Sequence, residues 1–215
     1  MIEQNLSLLL VVIPLIAAPV TAMLPAGRSP WLFTLAITWI CFALAIWQLT
    51  IVIDGSTISY ELGGWAPPWG IEYKIDSLNA FIAVIVSGIA SLSCLFAYRS
   101  VPDEIEKKTI PLFYAAFQLC LLGLLGIALT GDIFNLFVFL EISSLSTYAL
   151  ISMGKHRKAL TAAFSYLILG TIGATFFLIG VGFLFAASGS LNTADIAARF
   201  PSFADMQLVE TALIF

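Results

Sequence analysis

The chain has 215 residues, of which 60% are apolar and only 10% charged, with a formal net charge of -4. No water-soluble domain can bury that much apolar surface, and the acids carry no accompanying basic stripe of the kind that neutralises phosphates, which excludes nucleic acid as a partner. An alternating in/out pattern of membrane-barrel strands is absent too, so the chain reads as an all-α membrane protein whose helices satisfy their own backbone hydrogen bonds in lipid.

The N-terminus, Met1-Ile2-Glu3-Gln4-Asn5, lacks the positive region of a signal peptide, and the first apolar segment is expected to be retained. Six segments reach the roughly 20 apolar residues that cross a hydrocarbon core. They fall near residues 6 to 25, 31 to 53, 78 to 98, 110 to 130, 133 to 153 and 159 to 187, and a seventh starts near Met206. Its ten residues reach only about 15 Å and cannot span alone. Residues 1–109 form an N-terminal unit of three helices, and residues 110–215 begin a second unit.

The connection at 54–76 is the longest on its side. Thr57-Ile58-Ser59-Tyr60-Glu61-Leu62 followed by Gly63-Gly64 reads as a strand entering a turn, which predicts a small external β-hairpin after the second helix. Trp65, Trp69 and Tyr73 there read as interfacial anchors rather than a binding site. Residues 191–205 predict a short interfacial helix, with Asn192 near its start and Ile196, Phe200 and Phe203 at helical spacing.

Basic residues orient the chain. Arg28, Arg99, Lys107, Lys108, Lys155, Arg157 and Lys158 occupy loops of one side, against Lys74 and Arg199 on the other. The side with seven is expected to be cytoplasmic and the N-terminus external. Cys41, Cys94 and Cys120 lie far apart in apolar segments and read as buried small hydrophobes. No spacing fits a metal or haem, no nucleophile accompanies a base, and Gly180-Val181-Gly182 follows no strand, so neither a cofactor nor a soluble-type active site is expected.

Glu141 is the acid that falls deep within a complete apolar segment, two residues or about 3 Å from the centre of the fifth at Ser143. A carboxylate there costs a few kcal/mol on insertion scales, so it must be paired, protonated or wetted. At helical spacing Glu141, Ser144, Tyr148 and Ser152 share one face, a polar stripe leading from mid-helix toward the basic side. This pattern fits a proton relay, the alternative being a structural acid held by neighbouring hydroxyls. His156 and Lys158, in the loop at the end of the stripe, read first as a solvated positive turn and second as a proton entry point. Asp132 reads as an N-cap of the fifth helix, and Gly170, Gly173 and Ala174 as a close-packing surface of the sixth.

The run from Gly131-Asp132-Ile133-Phe134-Asn135 through Leu140-Glu141 to Ser143-Ser144-Leu145-Ser146-Thr147-Tyr148 resembles the fifth-helix signature of the proton-conducting membrane subunits of complex I and of Mrp-type multisubunit cation/proton antiporters, with the D-type Mrp antiporter subunits the most similar branch. The likeness extends through Ala162-Ala163-Phe164-Ser165-Tyr166-Leu167 and Ser188-Gly189-Ser190-Leu191-Asn192-Thr193-Ala194-Asp195. The resemblance implies that Glu141 is the family's fifth-helix glutamate, working with a lysine on a seventh helix. The five lysines here, Lys74, Lys107, Lys108, Lys155 and Lys158, all lie in loops, and the chain reads as an N-terminal portion of such a subunit. It further implies a multi-pass subunit in the cytoplasmic membrane of a prokaryote. Such a subunit has other membrane subunits as partners, exchanges protons for a monovalent cation, sodium in the first instance, and is no enzyme by itself. The alternatives are a proton-pumping arm subunit of an NADH-quinone oxidoreductase or membrane-bound hydrogenase, and a non-transporting scaffold subunit.

Overall fold

The computed structural model describes residues 2–204 and 206–215, with side chains from Asn5 onward. Asp205, the last residue of the predicted 191–205 helix, lies outside the described residues, as does Met1. Among the described residues, eight α-helices and two strands follow in the order α1 (Ile2–Met23), α2 (Ser29–Val52), β1 (Ile58–Glu61), β2 (Glu72–Ile75), α3 (Ser77–Glu104), α4 (Ile110–Leu129), α5 (Ile133–Ser152), α6 (Arg157–Ser188), α7 (Thr193–Phe203) and α8 (Gln207–Ile214). Among the described residues, α1 to α6 are the six helices long and apolar enough to cross a membrane.

Helix α4 is the central element, enclosed by α1, α2, α3 and α5, while α6 packs chiefly on α5 and on the short α8 and α7. The main apolar core joins Leu10 and Val11 of α1, Cys41 and Ala45 of α2, and Leu121, Leu122 and Leu125 of α4. Within it lie buried amides. Gln118 of α4 donates through Nε2 to Thr34 Oγ1 of α2 at 2.8 Å and accepts from Thr21 Oγ1 of α1 at 3.2 Å. Three helices are thereby fixed in rotation, because an unmet amide in lipid costs far more than an unmet methyl.

Helix α3 runs six residues past the predicted end at residue 98, to Glu104. Its apolar run stops at Tyr98, but its backbone hydrogen bonds do not, because Lys155 caps the last turn: Nζ donates to Asp103 O at 2.6 Å and to Pro102 O at 3.3 Å. The hairpin is present, with β1 and β2 antiparallel and Ile58 paired with Ile75, Glu61 with Glu72. It is wider than the tight turn expected at Gly63-Gly64. Both glycines have positive φ, 69° and 75°, but they start a longer connection that turns again at Ala66–Gly70. Tyr73, predicted as an interfacial anchor, is instead buried beneath β2 with its ring 6.4 Å from that of Phe139, whereas Trp65 and Trp69 are exposed. Tyr73 lies within the paired strand, on the bundle beneath it, while the two tryptophans lie in the connection outside the ladder.

Candidate proton site on helix α5

The start of α5 is fixed from three directions. Asp132 is the N-cap, its carboxylate accepting from Asn135 N at 2.7 Å, while Asn135 Nδ2 donates to Thr130 Oγ1 at 3.0 Å. Gly131 N donates to Glu72 O of the hairpin at 2.8 Å, and Ile133 N to Leu191 O at 2.9 Å. Burial raises the Asp132 carboxyl above its ordinary range, a shift opposed by its hydrogen bonds from the backbone of Asn135 and Phe134. Asn192, which caps α7 through Ala194 N and Asp195 N, also donates to Glu72 Oε2 at 2.9 Å, and Ser59 Oγ donates to the other Glu72 oxygen at 2.7 Å. The sequence marked Asn192 as the start of a short helix, which it is, but gave no sign of its buried pairing with Glu72.

The far end of α5 is held as firmly. Lys155 N donates to Glu104 O at 3.0 Å, and Gly154 pairs with Ile105, so the loop after α5 is stitched to the loop after α3. His156 is the N-cap of α6 and Lys158, expected in a loop, lies in the first turn of that helix; both are exposed, with no hydrogen bond or ion pair to the stripe among the described residues. The member of the basic cluster with a defined role in packing is therefore Lys155.

Between these ends lies Glu141, about 12 Å along the axis from the start of α5. It is half-buried, and among the described residues no hydrogen bond or ion pair holds its carboxylate. Other hydroxyls of α5 are turned back on their own helix. Ser143 Oγ donates to Leu140 O, Ser146 Oγ to Ile142 O, Thr147 Oγ1 to Ser143 O and Ser152 Oγ to Ala149 O. Ser144 and Tyr148 make no such bond, and no other protein group among the described residues accepts or donates to their hydroxyls. Three of the four predicted stripe residues thus present unengaged polar atoms on one face, and Ser152 is the exception.

That face turns toward α6. The Tyr148 ring meets Tyr166 edge-on, with centroids 4.9 Å apart, and its hydroxyl lies over Gly170, where a methyl group would collide with it. Gly170 and buried Ala174 accordingly form the close approach predicted for the sixth helix, while Gly173 faces open space. Below Tyr148 a shallow groove of about 410 Å³ runs between α5 and α6, with Tyr148 and Ser152 on one wall and Ala163 and Leu167 on the other. Glu141 and Ser144 lie further up the same helix and are not among the residues that line this groove.

This architecture defines a multi-pass helical membrane protein. The family described as NADH:quinone oxidoreductase/Mrp antiporter, TM matches residues 130–215, the stretch that holds α5 and α6. The N-type subunit of the NADH-quinone oxidoreductase of Desulforudis audaxviator is 42% identical over 216 residues, covering 98% of this chain and 42% of the relative. The D-type subunit of the Na(+)/H(+) antiporter of Bacillus subtilis is 32% identical over 167 residues, covering 74% of this chain and 33% of the relative. In solved structures, the archaeal membrane-bound sulfane sulfur reductase superposes with a TM-score of 0.89 at 35% identity, over 97% of this chain and 42% of its counterpart. The Mrp complex from Dietzia sp. superposes with a TM-score of 0.82 at 24% identity, over 99% of this chain and 40% of its counterpart, a likeness of fold. The chain belongs to the membrane-subunit family shared by NADH:quinone oxidoreductases and Mrp antiporters. It spans about two fifths of the length of the Desulforudis relative.

Proposed function

We propose that this chain carries a proton-relay site of a multisubunit membrane transporter, with Glu141 taking up and releasing the proton and Ser144 and Tyr148 guiding it by way of water. The observation that carries the reading is the contrast on α5: four hydroxyls bond back to the helix, while Glu141, Ser144 and Tyr148 stay unengaged on the face toward α6. Two energy sources fit one relay. In a monovalent cation/proton antiporter the proton exchanges against a cation such as sodium; in a redox complex, electron transfer in other subunits drives it. The 42% identity to an oxidoreductase subunit, against 32% to an antiporter subunit, favours the redox-driven reading. In both, the chain sits in the cytoplasmic membrane of a prokaryote with the Gly63 hairpin external, and the partners are other membrane subunits.

Glu141→Gln in the assembled complex keeps shape and removes the exchangeable proton. Assembly should stay near normal and proton movement in inside-out vesicles should vanish, while Glu141→Asp retains part of it. Driving the vesicles with a sodium gradient or with an electron donor separates the two energy sources. Wild-type proton movement by Glu141→Gln under both would eliminate the relay and leave a scaffold role.

A further inference from the structure

On the basic side of the bundle, away from the α5 stripe, a cavity of about 540 Å³ opens between the α1–α2 loop, α3 and the start of α4. Its size lies in the range of ligand sites. Two cations line it, Arg28 and Lys107, and no carboxylate does. Among the described residues neither has an acidic partner, since the ion pairs found join Lys108 to Glu106 and Arg199 to Asp195. The positive end of α2 opens beside Arg28 with no side-chain cap and no acid in its first turn.

The walls are aromatic and fixed. Trp31 Nε1 donates to Cys94 O at 2.9 Å, Tyr114 OH donates to Ala97 O at 3.3 Å, and the Trp31 and Tyr98 rings lie 4.5 Å apart. The Arg28 guanidinium stands 5.8 Å from the centre of the Tyr98 ring, which places its exposed charge at the mouth of the cavity. A solvated loop needs no such walls. Two uncompensated cations at the end of the membrane-spanning helices, above an apolar floor, call for an anion that carries an apolar tail.

We propose that this cavity binds an anionic phospholipid, its phosphate on Arg28 and Lys107 and its glycerol and upper acyl chain against Trp31, Tyr98, Val101 and Tyr114. Basic pockets between membrane helices recognise phosphate headgroups by this combination of charge and apolar wall. A free phosphate ester would satisfy the charges alone.

The test uses the full purified chain, stripped of lipid in a neutral detergent and titrated by native mass spectrometry. The probes are phosphatidylglycerol, phosphatidylcholine of the same acyl chains, and glycerol 3-phosphate as the soluble source of the same phosphate. Phosphatidylglycerol should bind more tightly than phosphatidylcholine, and Arg28→Gln and Lys107→Gln should each weaken it about five-fold, the factor for one basic residue near an anionic headgroup. Lys74→Gln, which removes a charge on the hairpin side, should leave it unchanged, and glycerol 3-phosphate at equal concentration should not displace it. Equal binding of the two lipids, or unaltered binding by the Arg28→Gln, Lys107→Gln double variant, overturns the site. An equal loss in Lys74→Gln overturns it as a net-charge effect, and displacement by glycerol 3-phosphate overturns the lipid as its ligand.

Discussion

At Gly123 the α4 backbone lies close against that of α5, and replacing it with alanine measures how tightly α5 is held. A methyl group at 123 would stand 2.6 Å from Ser143 N, 2.7 Å from Ser143 Cβ and 2.8 Å from Phe139 O. Ordinary contact begins near 3.4 Å, so the closest of these is short by about 0.8 Å. Two of the blocking atoms belong to the α5 backbone and cannot swing aside as a side chain would. The helices must separate, at an overpacking cost of about 2–3 kcal/mol. The better helix propensity of alanine returns about 1 kcal/mol. The net loss of about 1–2 kcal/mol corresponds to a fall in Tm of roughly 3–6 °C for a chain of this size. Gly173→Ala is the matched control, since a methyl there meets nothing within 4 Å and keeps only the gain in propensity. A thermal-shift assay of both variants in detergent should place Gly123→Ala below wild type and Gly173→Ala at or above it. Equal shifts would refute the steric account of the α4–α5 contact. Because Glu141 lies two residues before Ser143, Gly123→Ala should also slow proton movement under the relay reading.

Other expectations follow from the ends of α5. The Asp132 carboxyl is raised by burial, so the native state holds its proton more tightly than the unfolded chain does. Stability from this group is present at low pH and is lost as pH rises from the ordinary value of 3.8 through the raised one; Asp132→Asn keeps the cap and should flatten that slope in a pH series of unfolding midpoints. Asn192→Ala removes the α7 cap and the hydrogen bond to Glu72, a loss of about 2–4 kcal/mol that a thermal-shift assay should register, whereas an unchanged midpoint would show the hairpin clamp to be inert. For orientation, Thr57→Cys and Lys158→Cys are exposed at opposite ends of the bundle and leave the Lys155 cap intact. An impermeant thiol reagent on intact cells should label position 57 and spare 158, and the reverse pattern would invert the orientation.

The spanning helices were legible because each is a run of about 20 apolar residues, and length alone decides that question in a membrane. The end of α3 was not, because composition changes at Arg99 while helical hydrogen bonding is prolonged by Lys155, 56 residues further along the chain. Spacing placed Glu141, Ser144, Tyr148 and Ser152 on one face, but spacing cannot say which hydroxyl rotates back onto its own helix. Ser152 does and Ser144 does not, a choice made by side-chain torsion and neighbouring helices. The Gln118, Thr21 and Thr34 cluster depends on the mutual rotation of three helices, and no periodicity within any one of them reports it. Gly170 and Gly173 looked equivalent in sequence and differ in space, since only the first faces Tyr148.

Helix α5 is tied to other elements at both ends, with Glu141, Ser144 and Tyr148 unengaged between them. The hairpin and the Asn192 loop pin its start, and the Lys155 loop ties its finish to α3. A relay on such a helix cannot depend on the helix moving; it must work through water and side-chain rotation. The spacing suits that. Glu141 to Ser144 is about 4.5 Å of rise and Ser144 to Tyr148 about 6 Å, and since no direct hydrogen bond joins them among the described residues, one bridging water could span each step. None of the nine lysines and arginines lies within α5. Under the relay reading, release of the proton from Glu141 therefore needs a base or a counter-charge supplied from elsewhere in the assembly, because an unpaired carboxylate inside the membrane is costly. That dependence would couple proton release at Glu141 to events in a partner, as both a cation exchanger and a redox-driven pump require.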